Sequence, residues 1–375
     1  MNNRERFKHI MHYESYDHMP LTSFGYWDET LIKWKEEGYL PKELVDTFLY
    51  NGDAEDAYLS IMKEVGFEME LRAPGGDTGF LPPLEEKVIR VEEDGCIIKS
   101  NDTGHIIRVK PGVTSIPSEV GTLLTDRKAW EEIFLPRMQF SAERASEQII
   151  ESIRKGREKY AAEPFGVYCG GLFGRIRDIF GLEGLSYMMA DDPELFEEVV
   201  ERNAQISLFV VEKILESGID FDFAHFWEDI CYKTGPLVNP KFLERVIGPY
   251  YKKITDALKA HGVDIVTLDC DGCIDKLIPL WLYNGVNAMY PIEVGTWGAN
   301  IAPWRAQYGK ALRGVGGVDK RVFAKDKKAI DEEIERLKPL VDLGGYIPCI
   351  DHRIPPDAKF ELVQYYCNQF RKAFN

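Results

Sequence analysis

The sequence predicts an α/β fold: a (β/α)8 (TIM) barrel with an N-terminal helical segment and an inserted antiparallel β-meander. Three observations carry this. Eight short apolar runs recur along the chain, helical segments separate most of them, and no G-x-G-x-x-G follows the first run. A doubly wound open sheet is the alternative topology.

Residues 3–13 read as a helix, with Phe7, Ile10 and Met11 at helical spacing and Pro20 beyond its end. Residues 21–27 read as the first strand, and a helix follows through Trp34 and Lys35. Residues 53–66 are helical, with Asp53 as the cap and Gly66 as the stop. Residues 67–73 form the second strand. Over residues 87–110 β-branched and polar residues alternate, with turns at Asp94-Gly95 and Asp102-Thr103-Gly104. That texture predicts a three-stranded antiparallel meander. Residues 141–160 form one long amphipathic helix. From Pro164 six strands follow, at 165–169, 222–227, 264–270, 286–293, 312–317 and 345–350. Helices fill the gaps, including 193–217, 240–261 and 327–341.

Composition sets outer limits. The chain has 375 residues, 45% hydrophobic and 29% charged, which suits one globular domain over residues 1–375 with an insertion at about 78–125. The net charge of −16 argues against nucleic acid and anionic membranes as partners. Residues 1–20 are charged rather than apolar, and the 7 cysteines are an odd, scattered set, so reduced thiols and a cytoplasmic location are expected. No apolar run approaches the ~20 residues that span a bilayer.

In a barrel the chemistry gathers at the C-terminal ends of the strands. Those ends carry Trp27, Arg72, Cys169 with Gly170-Gly171, His225, Trp227, Glu228, Asp229, Asp269, Asp271, Glu293, Asp319, Cys349, Asp351 and His352. The segment "VDIVTLDCDGC" (263–273) is the densest. Asp269 and Asp271, two apart on a strand, face the same way and can ligate a metal together with Glu293 and Cys349. Alternatively they cap the helix that begins near Asp275. Cys270 points to the opposite side and reads as buried filler. Glu228 and Asp229 are proton-transfer candidates, or partners of Lys233. His352, beside Asp351, is a general base, a ligand or a surface residue. Gly170-Gly171 makes either an anion nest or a tight strand–helix contact. Trp227, Tyr290, Trp297 and Trp304 line a flat-ligand pocket or belong to core and rim.

Three segments carry a family resemblance. "NRERFKHIMHYESYDHMPL", "DCDGCIDKLIPLWLYNGVNAMYPIEV" and "GGYIPCIDHRIPPD" look like blocks of the uroporphyrinogen decarboxylase-like superfamily, and the likeness covers nearly the whole chain. It implies a (β/α)8 barrel. The true decarboxylases bind their tetrapyrrole carboxylates with an Arg-rich N-terminal motif; here that place reads "MPLTSFGYWDET", without Arg. The chain resembles more closely the branch of cobalamin-dependent methyltransferases. Members with thiol substrates hold zinc through His, Cys and a distant Cys, beside a Glu. By position Asp269 falls on the His, Asp271 on the first Cys, Glu293 on the Glu and Cys349 on the last Cys. The resemblance therefore implies Zn2+ at Asp269, Asp271, Glu293 and Cys349, in a harder site suited to an ether or amine donor. It implies demethylation of a small methoxylated or methylamine-type methyl donor. The methylcobalamin or other corrinoid would sit on a partner protein, since no D-x-H-x-x-G motif is present. His225, Glu228, Asp229 and His352 would serve proton transfer, and Gly170, Gly171 and Trp227 would meet the cofactor. A homodimer follows by analogy. The rival readings are a uroporphyrinogen decarboxylase-type carboxy-lyase, with Arg72, Arg175, Arg177 and Arg353 on substrate carboxylates, and a non-catalytic corrinoid- or tetrapyrrole-binding protein.

Overall fold

The computed structural model describes residues 1–50, 54–111 and 117–374; the expected cap Asp53 lies outside the described residues. The inserted sheet comes first in the chain. Its strands are β1 (Lys87–Val91), β2 (Ile97–Ser100), β3 (His105–Val109) and β4 (Ser118–Thr122), antiparallel in that order. It has one strand more than the sequence suggested, because "SEVGT" shows no apolar alternation and joins the sheet only by pairing with β3. The main sheet contains β5 (Gly166–Tyr168), β6 (Phe223–Trp227), β9 (Val266–Asp269), β10 (Ala288–Ile292), β11 (Arg313–Val318) and β12 (Tyr346–Ile350). A small hairpin, β7 (Cys231–Tyr232) and β8 (Gly235–Pro236), sits between β6 and β9 in sequence.

The six main strands pair in parallel in the order β12-β11-β10-β9-β6-β5. Single parallel bridges complete the ring: Phe165 to Arg72, Met69 to Thr22, and Thr22 to Cys349. The first two predicted strands thus occupy their places but pair only at single residues. In the first of them Gly25 (φ 111°) turns the backbone out of the extended region. Every residue of β9 and β12 is buried, as expected for parallel strands covered on both faces.

Helices differ from expectation where local chemistry interrupts them. The long helix at 141–160 divides into a 3-10 turn Ala142–Ala145 and a helix Glu147–Lys159, because Ser146 caps the second one. The helix at 240–261 divides into Pro240–Val246 and Gly248–Ala260, where Pro249 has no N–H to continue the ladder. A helix Gly174–Asp191, kinked at Gly181, follows β5 directly and was not anticipated. Among the described residues no helix is long and apolar enough to cross a membrane.

One buried group locks the mouth of the barrel. Glu228, just past β6, is 0% exposed. Its carboxylate accepts from the backbone N–H groups of Leu172 (2.8 Å), Phe173 (2.8 Å) and Gly174 (2.7 Å), and from the Tyr251 hydroxyl. Burial still pushes its pKa up against these four donors. The loop after β5 is therefore an anion nest filled by the chain's own carboxylate. This corrects two expectations. Glu228 has no oxygen to spare for proton transfer. Gly170-Gly171 is a packing contact, since a Cβ at Gly171 would overlap the Trp227 carbonyl and one at Gly170 would meet Ser207.

Glu228→Ala removes the acceptor of four buried donors and should cost about 3 kcal/mol in urea unfolding. Gly174→Ala, whose methyl would overlap the Glu228 backbone, should cost about 2 kcal/mol. Losses below about 0.5 kcal/mol for both would show that the clasp does not hold the mouth.

Candidate functional site

Strand geometry delivers three carboxylates to one point. β6 and β9 run side by side with Trp227 opposite Asp269. Past Trp227, the Glu228 clasp draws the chain outward. Asp229 then takes φ 46°, a left-handed conformation uncommon for a residue with a side chain. That turn brings the Asp229 carboxylate back to β9, where its Oδ1 accepts from the Asp271 N–H at 3.0 Å. Arg177 holds it there. The Arg177 Nη1 donates to the Asp229 carbonyl at 2.6 Å and lies 3.8 Å from its Oδ2, while the guanidinium sits 5.5 Å over the Trp227 ring.

Asp229, Asp269 and Asp271 each offer an oxygen, and the three oxygens lie within 4.8 Å of one another. Asp271 Oδ1 is buried and has no hydrogen-bond partner. Asp271 Oδ2 lies 3.2 Å from His352 Nε2. Neither Asp269 nor Asp271 caps the next helix, Ile278–Tyr283, whose N-cap is Leu277 with no side-chain hydrogen bond. The electrostatics are unfavourable to three bare charges. Burial, then repulsion from Asp229, Asp271 and Glu293, raises the Asp269 pKa well above the usual range, with Arg353 opposing. Burial, then Asp271, raises Asp229, and the same two causes raise Glu293. A cluster of part-buried carboxylates with an orphaned lone-pair site has the donor chemistry of a divalent-cation site, and its all-oxygen set favours a hard ion.

The other expected ligands stand apart. Both oxygens of Glu293 are occupied, by the Gly272 N–H (2.6 Å) and the Thr296 hydroxyl (2.7 Å), so Glu293 props the loop behind Asp271. Cys349 is buried against Thr22, and burial pushes its thiol far up. It lies outside the three-oxygen cluster, where Asp229 takes the place expected of it. Cys270 turns away from the aspartates, toward Cys231 and the Ile230 N–H (3.4 Å).

Beneath the cluster the barrel lining is neutral. His225 Nδ1 meets Thr267 Oγ1 at 2.8 Å, and that hydroxyl donates to the Ala224 carbonyl at 2.9 Å. We therefore assign the Nδ1–H tautomer, which leaves Nε2 as an acceptor. Burial lowers the His225 pKa to about 4, so the ring is uncharged at neutral pH. Along one side of the mouth, Phe24 stacks on Tyr290 (5.2 Å) and on His352 (4.9 Å), and Trp27 lies 6.0 Å from His352. Arg353 covers Trp27 at 5.2 Å. Trp304 instead donates to Asp275 at 2.7 Å. Phe24 was not among the expected mouth residues, and Arg177 was expected there only on a substrate carboxylate, not as the partner of Asp229. Phe24 lies on the first predicted strand, where period-2 alternation could have marked it; nothing local marks the partnership of Arg177.

Comparison with known proteins agrees with this architecture. The profile of the family described as "Uroporphyrinogen decarboxylase (URO-D)" matches residues 108–373. A uroporphyrinogen decarboxylase of Sulfurovum sp. (strain NBC37-1) is 22% identical over 188 residues, which is 50% of this chain and 51% of the relative, so the match spans about half the length of that protein. Among solved structures, a methyltransferase from Methanosarcina mazei superposes with a TM-score of 0.61 at 14% identity, covering 99% of this chain and 98% of its own. A B12-independent methionine synthase from Shewanella sp. W3-18-1 shows a looser likeness, with a TM-score of 0.49 at 11% identity over 95% and 98% of the two chains. The profile match, over more than half of the chain, shows that the chain belongs to the uroporphyrinogen decarboxylase (URO-D) family.

Proposed function

We propose that the protein is a methyltransferase that takes a methyl group from a small methoxylated or methylamine-type donor and passes it to a corrinoid carried by a partner protein. The observation that carries this reading is the cluster of Asp229, Asp269 and Asp271 with the orphaned Asp271 Oδ1. These residues would hold a divalent cation, Zn2+ or a harder ion. When bound, such an ion supplies Lewis acidity to the heteroatom that the methyl group leaves. His352, 3.2 Å from Asp271 and stacked on Phe24, is placed to hand a proton to that heteroatom from Nε2. Arg177 is a positioning residue acting through Asp229. Phe24, Tyr290 and Trp27 offer faces to a flat donor and exclude water from it. The barrel resembles a methyltransferase across almost its full length, which supports the fold that this chemistry needs.

A carboxy-lyase reading draws on the family profile and on the mouth arginines. Incubation with uroporphyrinogen separates the two: carbon dioxide release would replace the methyl-transfer reading.

Two outcomes are expected. Incubated with a corrinoid protein and a panel of methoxyarenes and methylamines, the protein should methylate the corrinoid. Asp271→Asn should slow this by at least about 100-fold, with a melting midpoint no lower than the wild type's in cation-free buffer. Rates in the variant and in chelator-treated protein equal to that of the untreated wild type would remove the cation from the mechanism. The second outcome concerns pH. The raised pKa values of Asp229, Asp269 and Glu293 mean that the folded, cation-free protein holds protons that the unfolded chain has released. Their contribution to stability is full below the ordinary carboxylate range and is lost as pH rises through the raised values. Chelated protein should therefore melt lower at about pH 8 than at about pH 5, and added Mn2+ or Zn2+ should raise the midpoint more at the higher pH. A cation effect that is independent of pH, or that survives in Asp271→Asn, would place the ion elsewhere.

A further inference from the structure

Arg175 stands just inside the helix Gly174–Asp191, after the β5 loop. Its guanidinium lies 5.3 Å over the Phe80 ring. A Cβ at Gly79 would come within 2.8 Å of its Nη2, so the chain keeps that space open with glycine. Its Nε is buried without a partner, and Arg175 forms no hydrogen bond or ion pair with any described residue. Arg72, Arg137 and Arg305 also bury an unpartnered Nε, but their Nη groups are engaged: Arg72 with Glu55 and Glu70, Arg137 with the Ile133 carbonyl, and Arg305 with the Leu343 and Gly344 carbonyls. Asp77 is the strongest charge acting on Arg175, but its Oδ1 already accepts from the Gly79 N–H at 2.6 Å. A part-buried guanidinium whose Nε is sealed from water without an acceptor is unfavourable until an anion arrives.

The location is informative. Gly79 and Phe80 follow the second barrel strand, and Arg175 follows the third, so both belong to loops at the C-terminal face. Tyr168 ends β5 opposite His225, and its hydroxyl forms no hydrogen bond with a described residue. Its electrostatic neighbours include Glu228, Arg175 and Asp269. The mouth therefore has two poles, a cationic one over the second and third strands and an acidic one over β6 and β9. Neutral Tyr168, His225 and Trp227 stand between them.

We propose that Arg175, with the Tyr168 hydroxyl, takes the carboxylate of a small organic acid whose other end reaches the aspartate cluster. A planar guanidinium matches a carboxylate with two parallel N–H···O bonds. That the bound acid is the methyl donor, a methoxylated or N-methylated carboxylate, rests on the methyl-transfer reading above; that an acid binds does not.

Calorimetric titration of the full chain with benzoate and with its uncharged isostere benzamide tests the site. Benzoate should bind at least about tenfold more tightly, and Arg175→Gln should abolish the preference while Arg175→Lys keeps part of it. Because Arg175 makes no hydrogen bond or ion pair within the fold and only its contact with Phe80 is lost, Arg175→Gln should melt within about 2 °C of the wild type. The site is overturned if benzoate shows no advantage in the wild type, if the advantage survives in Arg175→Gln, or if that variant unfolds. The two readings fail separately. 4-Methoxybenzoate that binds through Arg175 but leaves the corrinoid unmethylated keeps the acid site and removes methyl transfer.

Discussion

The carboxylate of Glu228 is enclosed by four donors, and the geometry of the barrel mouth follows from it. Phe226 and Glu228 both face outward from β6, Phe226 against the Tyr251 ring at 5.1 Å and Glu228 against the Tyr251 hydroxyl and the start of the helix Gly174–Asp191. This anchors the end of one barrel strand to the loop after the preceding strand. The next residue must reverse direction within one step to reach the mouth, and Asp229 does so in a left-handed conformation. Backbone strain of this kind persists only when the surroundings over-determine it. Here the surroundings are the clasp on one side and the Arg177 contact with the Asp229 carbonyl on the other. The same helix start carries Arg175, so one buried carboxylate fixes both poles of the mouth.

Three acids at one point, one of them with an orphaned buried oxygen, form a high-energy arrangement in the absence of a counterion. Nothing in the fold requires it. Glu293 and Asp351, by contrast, are fully engaged in holding loops: Asp351 accepts from the Gly295 N–H at 2.6 Å and the Lys320 N–H at 3.1 Å. Asp229 also accepts a backbone N–H, so Asp271, with its orphaned Oδ1, differs most sharply from the bracing acids. The unpaired Arg175 belongs with Asp271.

Much of the barrel was legible in the sequence, because parallel strands buried on both faces read as short apolar runs. Strand β4 was not, since "SEVGT" gains its state from pairing with β3 rather than from its own pattern. The breaks at Ser146 and at Pro249 are local signals that a purely periodic reading passes over. At the site, Asp269 and Asp271 could be found from their place at a strand end. The division of labour between Glu228 and Asp229 could not, because it depends on which of two neighbouring acids meets the backbone amides of a distant loop. Family position suggested Cys349 as a ligand; Cys349 lies outside the three-oxygen cluster, to which Asp229 contributes instead. Arg175 and Arg177 could be named as candidates for a substrate carboxylate, but the hold of Arg177 on Asp229 shows only in tertiary contacts.

The central claim is that the aspartate cluster is a cation site. Anomalous diffraction from crystals soaked in Mn2+ tests it most directly. A single strong peak bounded by Asp229, Asp269 and Asp271, with Asp271 Oδ1 among its ligands, is the expected result. The account would be contradicted by a map with no peak there, or with its peak at Cys349.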